Sequence, residues 1–242
     1  MPEAHARSES SLLGKPAEPR VGCLSGSGPR VSPVFSAAGQ CRQVLRLLPG
    51  GANGEGASAA SPDDILSPRI ETPRLVLRRY EERDFDAFYR MASDRGMFRY
   101  SERGPMTSDE VWTRLLRHAG HWSLLGYGVF AVEEKATGRY AGEAGLGQFR
   151  RGLGEPFDSR AEISWSIAPD LQGQGYAQEA AAAALRWFAL REPGPTVCMI
   201  HYANSPSLRV AAKLGYRQYA TLDYKGYPAL LFERSEVAVR PQ

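Results

Sequence analysis

Residues 167–188, IAPDLQGQGYAQEAAAAALRWF, join an apolar strand end to an alanine-rich helix. The junction between Gln172 and Gln178 holds two glycines and no charged residue. A helix N-terminus presents unpaired N–H groups and the positive end of the helix dipole, so a strand-to-helix turn favours anions. Gly173 and Gly175 let backbone amides approach a phosphate without side chains in the way. The junction therefore predicts a phosphate site built from backbone amides.

Three phosphate-binding motifs compete for this junction. A Walker loop requires Gly-Lys-Ser/Thr, which is absent, and a dinucleotide fingerprint requires a small residue where Gln178 stands. The remaining pattern is Gln-x-x-Gly-x-Ala, formed by Gln172, Gly175 and Ala177. On this pattern alone, a glycine-rich turn before an alanine-rich packing helix stays open as an alternative.

The first 68 residues differ in composition from the rest of the chain. Glycine, proline, serine and alanine make up 36 of them and Phe35 is the only aromatic, so this part lacks the apolar surface that offsets chain entropy. We expect a disordered tail over 1–68, or an upstream extension from a misassigned start codon. One domain over 69–236 and a short C-terminal tail over 237–242 follow.

Charge and cysteine content argue against several classes of protein. The net charge of +3 falls entirely outside the tail and is too weak to indicate nucleic-acid binding. No apolar run approaches the roughly 20 residues of a membrane span. Three cysteines without Cys-x-x-Cys spacing predict neither a disulfide framework nor a zinc site. We expect a cytoplasmic protein with no metal, nucleic-acid or membrane partner, and Cys198 as a packed core thiol.

Periodic patterns in the rest of the chain predict a mixed α/β sheet. Alternation and apolar runs predict strands at RLVLRRY, YGVFAVEE, RYAGEAGLGQF, AEISWSIAP, TVCMIHY, YRQYATLDY and YPALLFER. Helices are predicted after a cap at Asp84, after the capping-box pair Thr107 and Glu110, and over 177–190 and 205–214. Four meandering strands, helix crossovers and a closing hairpin give about seven strands with helices on both faces.

Two further stretches of the sequence, one before and one after the glycine junction, carry recognisable motifs. Residues 203–216, ANSPSLRVAAKLGY, resemble the second cofactor motif of the GNAT acyltransferase superfamily, Asn-x-x-Ser followed by a short helix and Leu-Gly-aromatic. Residues 70–94, IETPRLVLRRYEERDFDAFYRMASD, resemble the start of its Rim-type branch, the ribosomal-protein N-terminal acetyltransferases and relatives. The junction resembles the acetyl-CoA pyrophosphate loop of the superfamily. From about Arg69 to Arg234 the chain is therefore identified as a member of this superfamily.

The resemblance implies acetyl-CoA as co-substrate and assigns it a site. Its pantetheine arm would pair with the strand EISWSI near Ile167, where a backbone N–H would meet the thioester carbonyl. Asn204 would contact the pantetheine where two strands splay apart, and Ser207 would lie near the sulfur. The pyrophosphate would lie on the backbone of Gln172, Gly173, Gln174, Gly175, Tyr176 and Ala177.

Acetyl transfer from a thioester to an amine needs a deprotonated amine, a stabilised oxyanion and a proton for the departing thiolate. By resemblance the transfer is direct, so Cys198 need not be a nucleophile. Glu162 occupies an acidic position that the Rim-type branch often carries and is the candidate catalytic base. It could instead be a solvated strand-end residue paired with Arg160 or another arginine. Glu143 is a rival base.

The candidate acid departs from the family pattern. Several GNAT enzymes use a tyrosine one helical turn before the glycine of Leu-Gly-aromatic, where this chain has Ala211. Ser207 is the substitute, although it could also act only as a helix cap or cofactor contact. Because a CoA thiolate is a fair leaving group near neutral pH, water is a further candidate.

For the other large side chains near these motifs, an ordinary structural role is the main expectation. His201 is expected to be a hydrogen-bonded core or rim residue. Tyr202 replaces a proline that the family often has two residues before the motif asparagine. Tryptophans on apolar helix faces are expected in the core: Trp112, Trp122 and Trp187. Trp165 could line the acceptor channel or simply pack.

In this superfamily the loop between the first two helices and the final hairpin build the acceptor site. Here they carry a polar aromatic rim of Arg99, Tyr100, Arg103, Tyr224 and Tyr227, although such a surface loop is also ordinary. Three functions stay open. They are N-acetylation of a protein N-terminus, the same chemistry on a small amine such as an amino acid, polyamine or drug, and a catalytically idle acyl-CoA-binding module. We expect a monomer or homodimer.

Overall fold

The computed structural model describes residues 68–100 and 104–235. The tails expected at the two ends of the chain lie outside the described residues, apart from Pro68. Arg103 of the expected acceptor rim also lies outside them. Across the described ranges, no helix combines the length and the apolar character needed to cross a membrane.

The described residues form an eight-stranded sheet and four α-helices. The strands are β1 (Ile70–Glu71), β2 (Leu75–Arg78), β3 (Val129–Glu134), β4 (Tyr140–Gly147), β5 (Ala161–Ile167), β6 (Thr196–His201), β7 (Arg217–Tyr224) and β8 (Tyr227–Arg234). The helices are α1 (Phe85–Ala92), α2 (Ser108–Leu125), α3 (Tyr176–Ala189) and α4 (Ser205–Lys213). The predicted mixed α/β sheet is confirmed. The additional strand β1 is only two residues long, too short to show an alternating pattern.

The strand order across the sheet is β1-β2-β3-β4-β5-β6-β8-β7. Strands β1 to β5 form an antiparallel meander, whereas β5 and β6 run parallel. In the part of the chain that the structure describes, this parallel pair is joined only where Ala161 meets Thr196 and Glu162 meets Val197. From Ile163 to Ile167, β5 therefore forms no strand pairing with β6.

Helices cover both faces of the sheet because successive strand residues point to opposite faces. On one face, Val132 of β3 belongs to the same buried cluster as Ala184 of α3. On the other face, the neighbouring Ala131 packs in a cluster with Phe88 of α1 and Val111 of α2. All five side chains are at most 1% exposed. The small alanine side chains of α3 let that helix lie close to β4 and β5.

The two predicted helix caps have different outcomes. The capping box of α2 is confirmed, since the Glu110 carboxylate accepts a hydrogen bond from the Thr107 amide at 2.9 Å. The side chain of Asp84 does not cap α1. It accepts two hydrogen bonds from the Arg78 guanidinium at 2.7 and 2.8 Å and one from the Glu81 amide. A bidentate ion pair with an arginine is stronger than a single cap bond, which explains the difference.

The prediction that three tryptophans lie in the core is wrong for one of them. Trp122 is buried and Trp187 packs against the core, but Trp112 is 39% exposed. Trp112 packs edge-on against Phe85 with ring centroids 5.7 Å apart. The buried positions of α2 are Val111, Leu115, His118 and Trp122. Because Trp112 stands one position beyond the first of these, it lies at the border of the buried stripe.

Candidate active site

A groove opens where β5 and β6 separate. One half, which we call the cofactor half, has a volume of about 330 Å³ and reaches the junction loop Gln172–Ala177 and α4. The other, the acceptor half, has about 290 Å³ and reaches Glu162 and β6. Five residues line both halves: Met97, Tyr100, Trp165, Asn204 and Ser207. The structure thus brings the glycine junction, the motif at 203–216 and the candidate base to one continuous groove, whereas the opening motif at 70–94 does not line it.

The junction loop has the backbone that amide binding of an anion requires. Gly173 and Gly175 adopt left-handed φ angles of 80° and 83°, and Gly175 is the N-cap residue of α3. A Cβ atom built on Gly173 would meet nothing within 4 Å, so the loop borders open space. An exposed loop at the start of a 14-residue helix fits a pyrophosphate group.

The opening motif of the domain holds this loop in place. The Arg74 guanidinium donates to the Gln174 carbonyl at 2.9 Å and to the Glu179 carboxylate at 2.7 Å. The Thr72 hydroxyl donates to the same carboxylate at 2.6 Å. The Glu179 charge in the first turn of α3 is thereby neutralised close to the candidate anion site. Sequence reasoning missed this role because no local spacing links residues 105 positions apart.

Two predicted cofactor residues use their side chains inside the protein. The Gln172 amide donates to the Ile167 carbonyl at 2.9 Å and accepts from Arg99 at 3.2 Å. The Tyr176 hydroxyl donates to Glu134 at 2.6 Å, and its buried ring packs in the core. Both side chains therefore anchor the loop, and only the backbone of these two residues is left for the pyrophosphate.

Asn204 and Ser207 lie at the centre of the groove. Asn204 is the N-cap of α4, where its Oδ1 accepts from the Ser207 amide at 3.2 Å. The Ser207 side chain is half-buried, and its hydroxyl has no hydrogen-bond partner among residues 68–100 and 104–235. A hydroxyl in this position is available to a ligand in the groove.

Glu162 is a buried carboxylate at the acceptor half. It is 3% exposed and takes two hydrogen bonds from Arg151, at 2.6 Å from Nε and 2.7 Å from Nη2. Burial raises the pKa of Glu162 above its ordinary value, while the Arg151 guanidinium opposes the rise. The burial of Glu162 contradicts the solvated part of the alternative reading, but the expected pairing with an arginine is confirmed. The partner is Arg151, since Arg160 pairs with Glu233.

The rival base Glu143 lies in a closed cluster away from the groove. It is 1% exposed, accepts from the Tyr80 hydroxyl at 3.0 Å, lies 3.2 Å from His118 Nε2 and pairs with Arg114. Burial alone would raise its pKa, but Arg114, His118 and Tyr80 hold the pKa of Glu143 at about 2. A larger cavity of about 580 Å³ borders Arg114 and contains none of the predicted site residues. The geometry favours Glu162 as the base.

Glu143 should make the fold sensitive to acid. Its folded pKa of about 2 lies below the ordinary 4.5, so the ion pair stabilises the fold fully above pH 4.5 and this contribution is lost as pH falls through 2. The shift corresponds to on the order of 3 kcal/mol, of which about 2 kcal/mol disappears between pH 6 and pH 3. Urea unfolding should show a smaller pH dependence in Glu143→Gln than in wild type. Equal pH dependence in the two proteins would contradict this assignment.

Cys198 and Ala211 are both buried. Cys198 is 1% exposed in the core cluster, and burial raises the pKa of its thiol well above the ordinary value. A thiol that resists ionisation is a poor nucleophile, which agrees with direct transfer. Ala211 is fully buried in the same cluster, so α4 offers no acid at the position of the family tyrosine.

Aromatic rings border the acceptor half. His201 stacks against Tyr202 and Tyr227 with centroids 4.9 and 5.8 Å apart, and Tyr100 lies 6.2 Å from the same imidazole. Of the expected rim, Tyr100 and Tyr227 line this half, and Tyr224 contacts Tyr227 edge-on at 5.6 Å. Arg99 lines the cofactor half instead. Trp165 lines both halves, as one of its two expected roles required.

Sequence reasoning missed two kinds of basic residue at the groove. Arg209 and Lys213 of α4 line the cofactor half, and their four-residue spacing on a predicted helix was a usable signal. Arg151 had no such signal, because it lies in the irregular loop before β5.

Known proteins resemble this chain in sequence and fold. The family described as "Acetyltransferase (GNAT) domain" matches residues 74–217. The "Uncharacterized N-acetyltransferase YnaD" of Bacillus subtilis (strain 168) is 28% identical over 150 residues, 62% of this chain and 82% of that protein. A GnaT-family acetyltransferase structure from Bordetella pertussis is 33% identical with a TM-score of 0.62, covering 69% of this chain and 99% of that one.

The fold is also that of a Rim-type enzyme. RimL, a ribosomal L7/L12 alpha-N-protein acetyltransferase solved with coenzyme A, has a TM-score of 0.57 at 17% identity, covering 69% of this chain and 98% of its own. The family match contains the junction loop, Glu162 and Asn204. The chain therefore belongs to the GNAT acetyltransferase family and is an N-acetyltransferase.

Proposed function

We propose that the protein transfers an acetyl group from acetyl-CoA directly to the α-amine of a protein N-terminus, with Glu162 as the base. The observation that carries this proposal is the buried Glu162 carboxylate at one half of a groove whose other half ends on the glycine loop. Acetyl-CoA supplies the activated acetyl group. The amides of Gln172–Ala177 would hold its pyrophosphate, and the part of β5 that does not pair with β6 would pair with its pantetheine.

The reaction requires two proton transfers, one away from the acceptor nitrogen and one to the departing thiolate. The acceptor ammonium gives up two protons as its C–N bond forms and the thioester C–S bond breaks. One proton passes through water to Glu162 and then to solvent. The thiolate takes up one proton, which Ser207 or water supplies, and a proton lost by Ser207 is replaced by the second amine proton. Acceptor ammonium and acetyl-CoA thereby give an amide, a free thiol and one released proton.

The lining of the acceptor half favours an acceptor with a single amine. Among the described residues that line it, the charged side chains are Arg151 and Glu162, which pair with each other. A polyamine carries several positive charges, and each buried charge needs its own counter-ion. A peptide N-terminus or an amino acid carries one. A small monoamine is therefore the second candidate acceptor.

An acceptor screen tests this function. Acetyl-CoA would be incubated with hexapeptides that begin with serine, alanine or methionine, with their N-blocked counterparts, with free amino acids and with spermidine. Release of the CoA thiol is expected only with peptides that have a free N-terminus. Turnover of free amino acids alone would select the small-amine alternative. Acetyl-CoA binding without turnover of any acceptor would support the idle module.

Arg209 and Lys213 should recognise the phosphate of CoA that lies apart from the pyrophosphate. The double variant Arg209→Ala/Lys213→Ala is expected to raise the Kd for CoA about tenfold at low salt, and less at high salt, because exposed charges are screened. Isothermal titration with CoA and dephospho-CoA checks this, with Lys225→Ala in the β7–β8 turn as the control. A variant that weakens both ligands equally would contradict a contact with that phosphate.

A further inference from the structure

We propose that Arg151 is a positioning residue that keeps the buried Glu162 carboxylate ionised and oriented, so that it can accept the acceptor's proton. The inference rests on the proposed function, because it assumes that Glu162 is the base. Arg151 belongs to no motif of the sequence. It lies in the loop between β4 and β5, eleven residues before Glu162.

The contact between the two side chains is bidentate. Arg151 donates from Nε at 2.6 Å and from Nη2 at 2.7 Å, one bond to each carboxylate oxygen. The side chains are 24% and 5% exposed, so the pair is largely shielded from water. A planar guanidinium with two parallel bonds fixes both the position and the plane of a carboxylate, which a single lysine bond does not.

Burial makes this partner necessary. A carboxylate removed from water favours its protonated form, and a protonated Glu162 cannot take a proton from the acceptor. Burial does raise the pKa of Glu162, and Arg151 is the main group that opposes the rise. Each carboxylate oxygen has two lone pairs, and Arg151 occupies one on each. The remaining lone pairs can accept a hydrogen bond from water.

Other groups around Glu162 act more weakly. Asp158 of the same loop raises its pKa further, and Arg117 of α2 lowers it. On the β6 side, Cys198 interacts with it electrostatically, and burial raises the pKa of that thiol, so it stays neutral. Tyr216 is neutral for the same reason. Among the described residues, Arg151 is thus the cation in direct contact with the carboxylate.

Aromatic rings hold Arg151 itself. Its guanidinium carbon lies 5.3 Å from the centroid of Phe149 and 5.7 Å from that of Tyr224, within the range of cation–π attraction. Tyr224 belongs to the β7–β8 hairpin and contacts Tyr227 at the acceptor half. The hairpin and the base are therefore linked through Arg151.

A direct titration of Glu162 tests the inference without needing turnover. In full-length enzyme with ¹³C-labelled glutamate carboxyls, the Glu162 signal is assigned by its absence in Glu162→Gln. Arg151→Met is expected to raise the pKa of Glu162 by about one unit or more. Arg151→Lys should raise it by less, since a lysine keeps the charge but lacks the two parallel N–H donors. A Glu162 titration that is the same in wild type and Arg151→Met would overturn the proposal.

The matched control is Arg160→Met. Arg160 is also 24% exposed and pairs with a glutamate, Glu233, that does not line the groove. It should leave the Glu162 titration unchanged. If Arg151→Met fails to fold, Arg151→Lys carries the test: a smaller upward shift supports the proposal, and no shift overturns it.

The pH dependence of kcat/KM separates this inference from the proposed function. With the alanine-starting hexapeptide, the acidic limb should move upward in Arg151→Met by the same amount as the titration, while the Kd for acetyl-CoA stays unchanged. A uniform loss at every pH would indicate structural damage and overturn a positioning role. A shifted titration with an unshifted limb would overturn Glu162 as the base, and the ion-pair effect would then have no catalytic consequence.

Discussion

Gly175→Val should weaken acetyl-CoA binding by well over tenfold in a folded protein. Gly175 has a φ of 83° at the first position before α3. A β-branched residue is strained there by about 1–3 kcal/mol, and each 1.4 kcal/mol changes an affinity tenfold. If the loop relaxes to a negative φ to relieve this strain, the amides proposed to hold the pyrophosphate turn away. Isothermal titration with acetyl-CoA measures the loss directly.

Gly126→Val is the matched control for this prediction. Gly126 has a similar φ of 73°, and a Cβ atom there would meet nothing within 4 Å. It ends α2, next to Tyr127, which packs on Phe188 near the far end of α3. The control should lose comparable stability and keep its affinity. Unchanged affinity in a folded Gly175→Val would refute the pyrophosphate assignment of the loop.

Glu162→Gln should lower turnover on the order of a hundredfold at neutral pH, the usual loss when a general base is removed. Glutamine has nearly the same shape and can still accept a bond from Arg151, but it cannot take a proton. The Kd for acetyl-CoA should change little, because Glu162 lines only the acceptor half. Steady-state kinetics with the alanine-starting hexapeptide, together with titration of acetyl-CoA, separate the two effects.

The pH profile adds a second readout. Burial raises the pKa of Glu162, and the base must be ionised to act. Wild-type activity should therefore fall as pH drops through a value above the ordinary glutamate range, and this limb should be missing in Glu162→Gln. Glu233→Gln is the control, because Glu233 also pairs with an arginine but does not line the groove. Full activity of Glu162→Gln at all pH values would remove Glu162 from the mechanism.

Local patterns were sufficient to predict most of the architecture. Strand alternation, the Thr107–Glu110 capping box and the closing hairpin of β7 and β8 all depend on residues within a few positions of one another. The same holds for the glycine junction. The helix cap considered for Ser207 is wrong, because Asn204 caps α4 instead. The local capping rule was wrong at Asp84, because its carboxylate pairs with Arg78 of β2 instead of capping the helix.

The site was predictable only in part, and its long-range partners were not. Sequence motifs identified the loop, Asn204 and Glu162 as candidates, because family motifs and helix N-termini each involve only a few consecutive residues. Which carboxylate would line the groove could not be decided this way. Glu143 and Glu162 both lie in strands. Only the packing of α2 encloses Glu143 with Arg114, whereas Glu162 lines the groove between β5 and β6.

By itself, then, the sequence determined the family, the order of strands and helices, and the glycine junction before α3, since each depends on neighbours along the chain. The tertiary structure alone decided three features: the early separation of β5 from β6, the Arg74–Glu179 support of the loop, and the Arg151–Glu162 pair. The physical reason is that burial and ion pairing depend on which distant segments pack together. No spacing between residues encodes that choice.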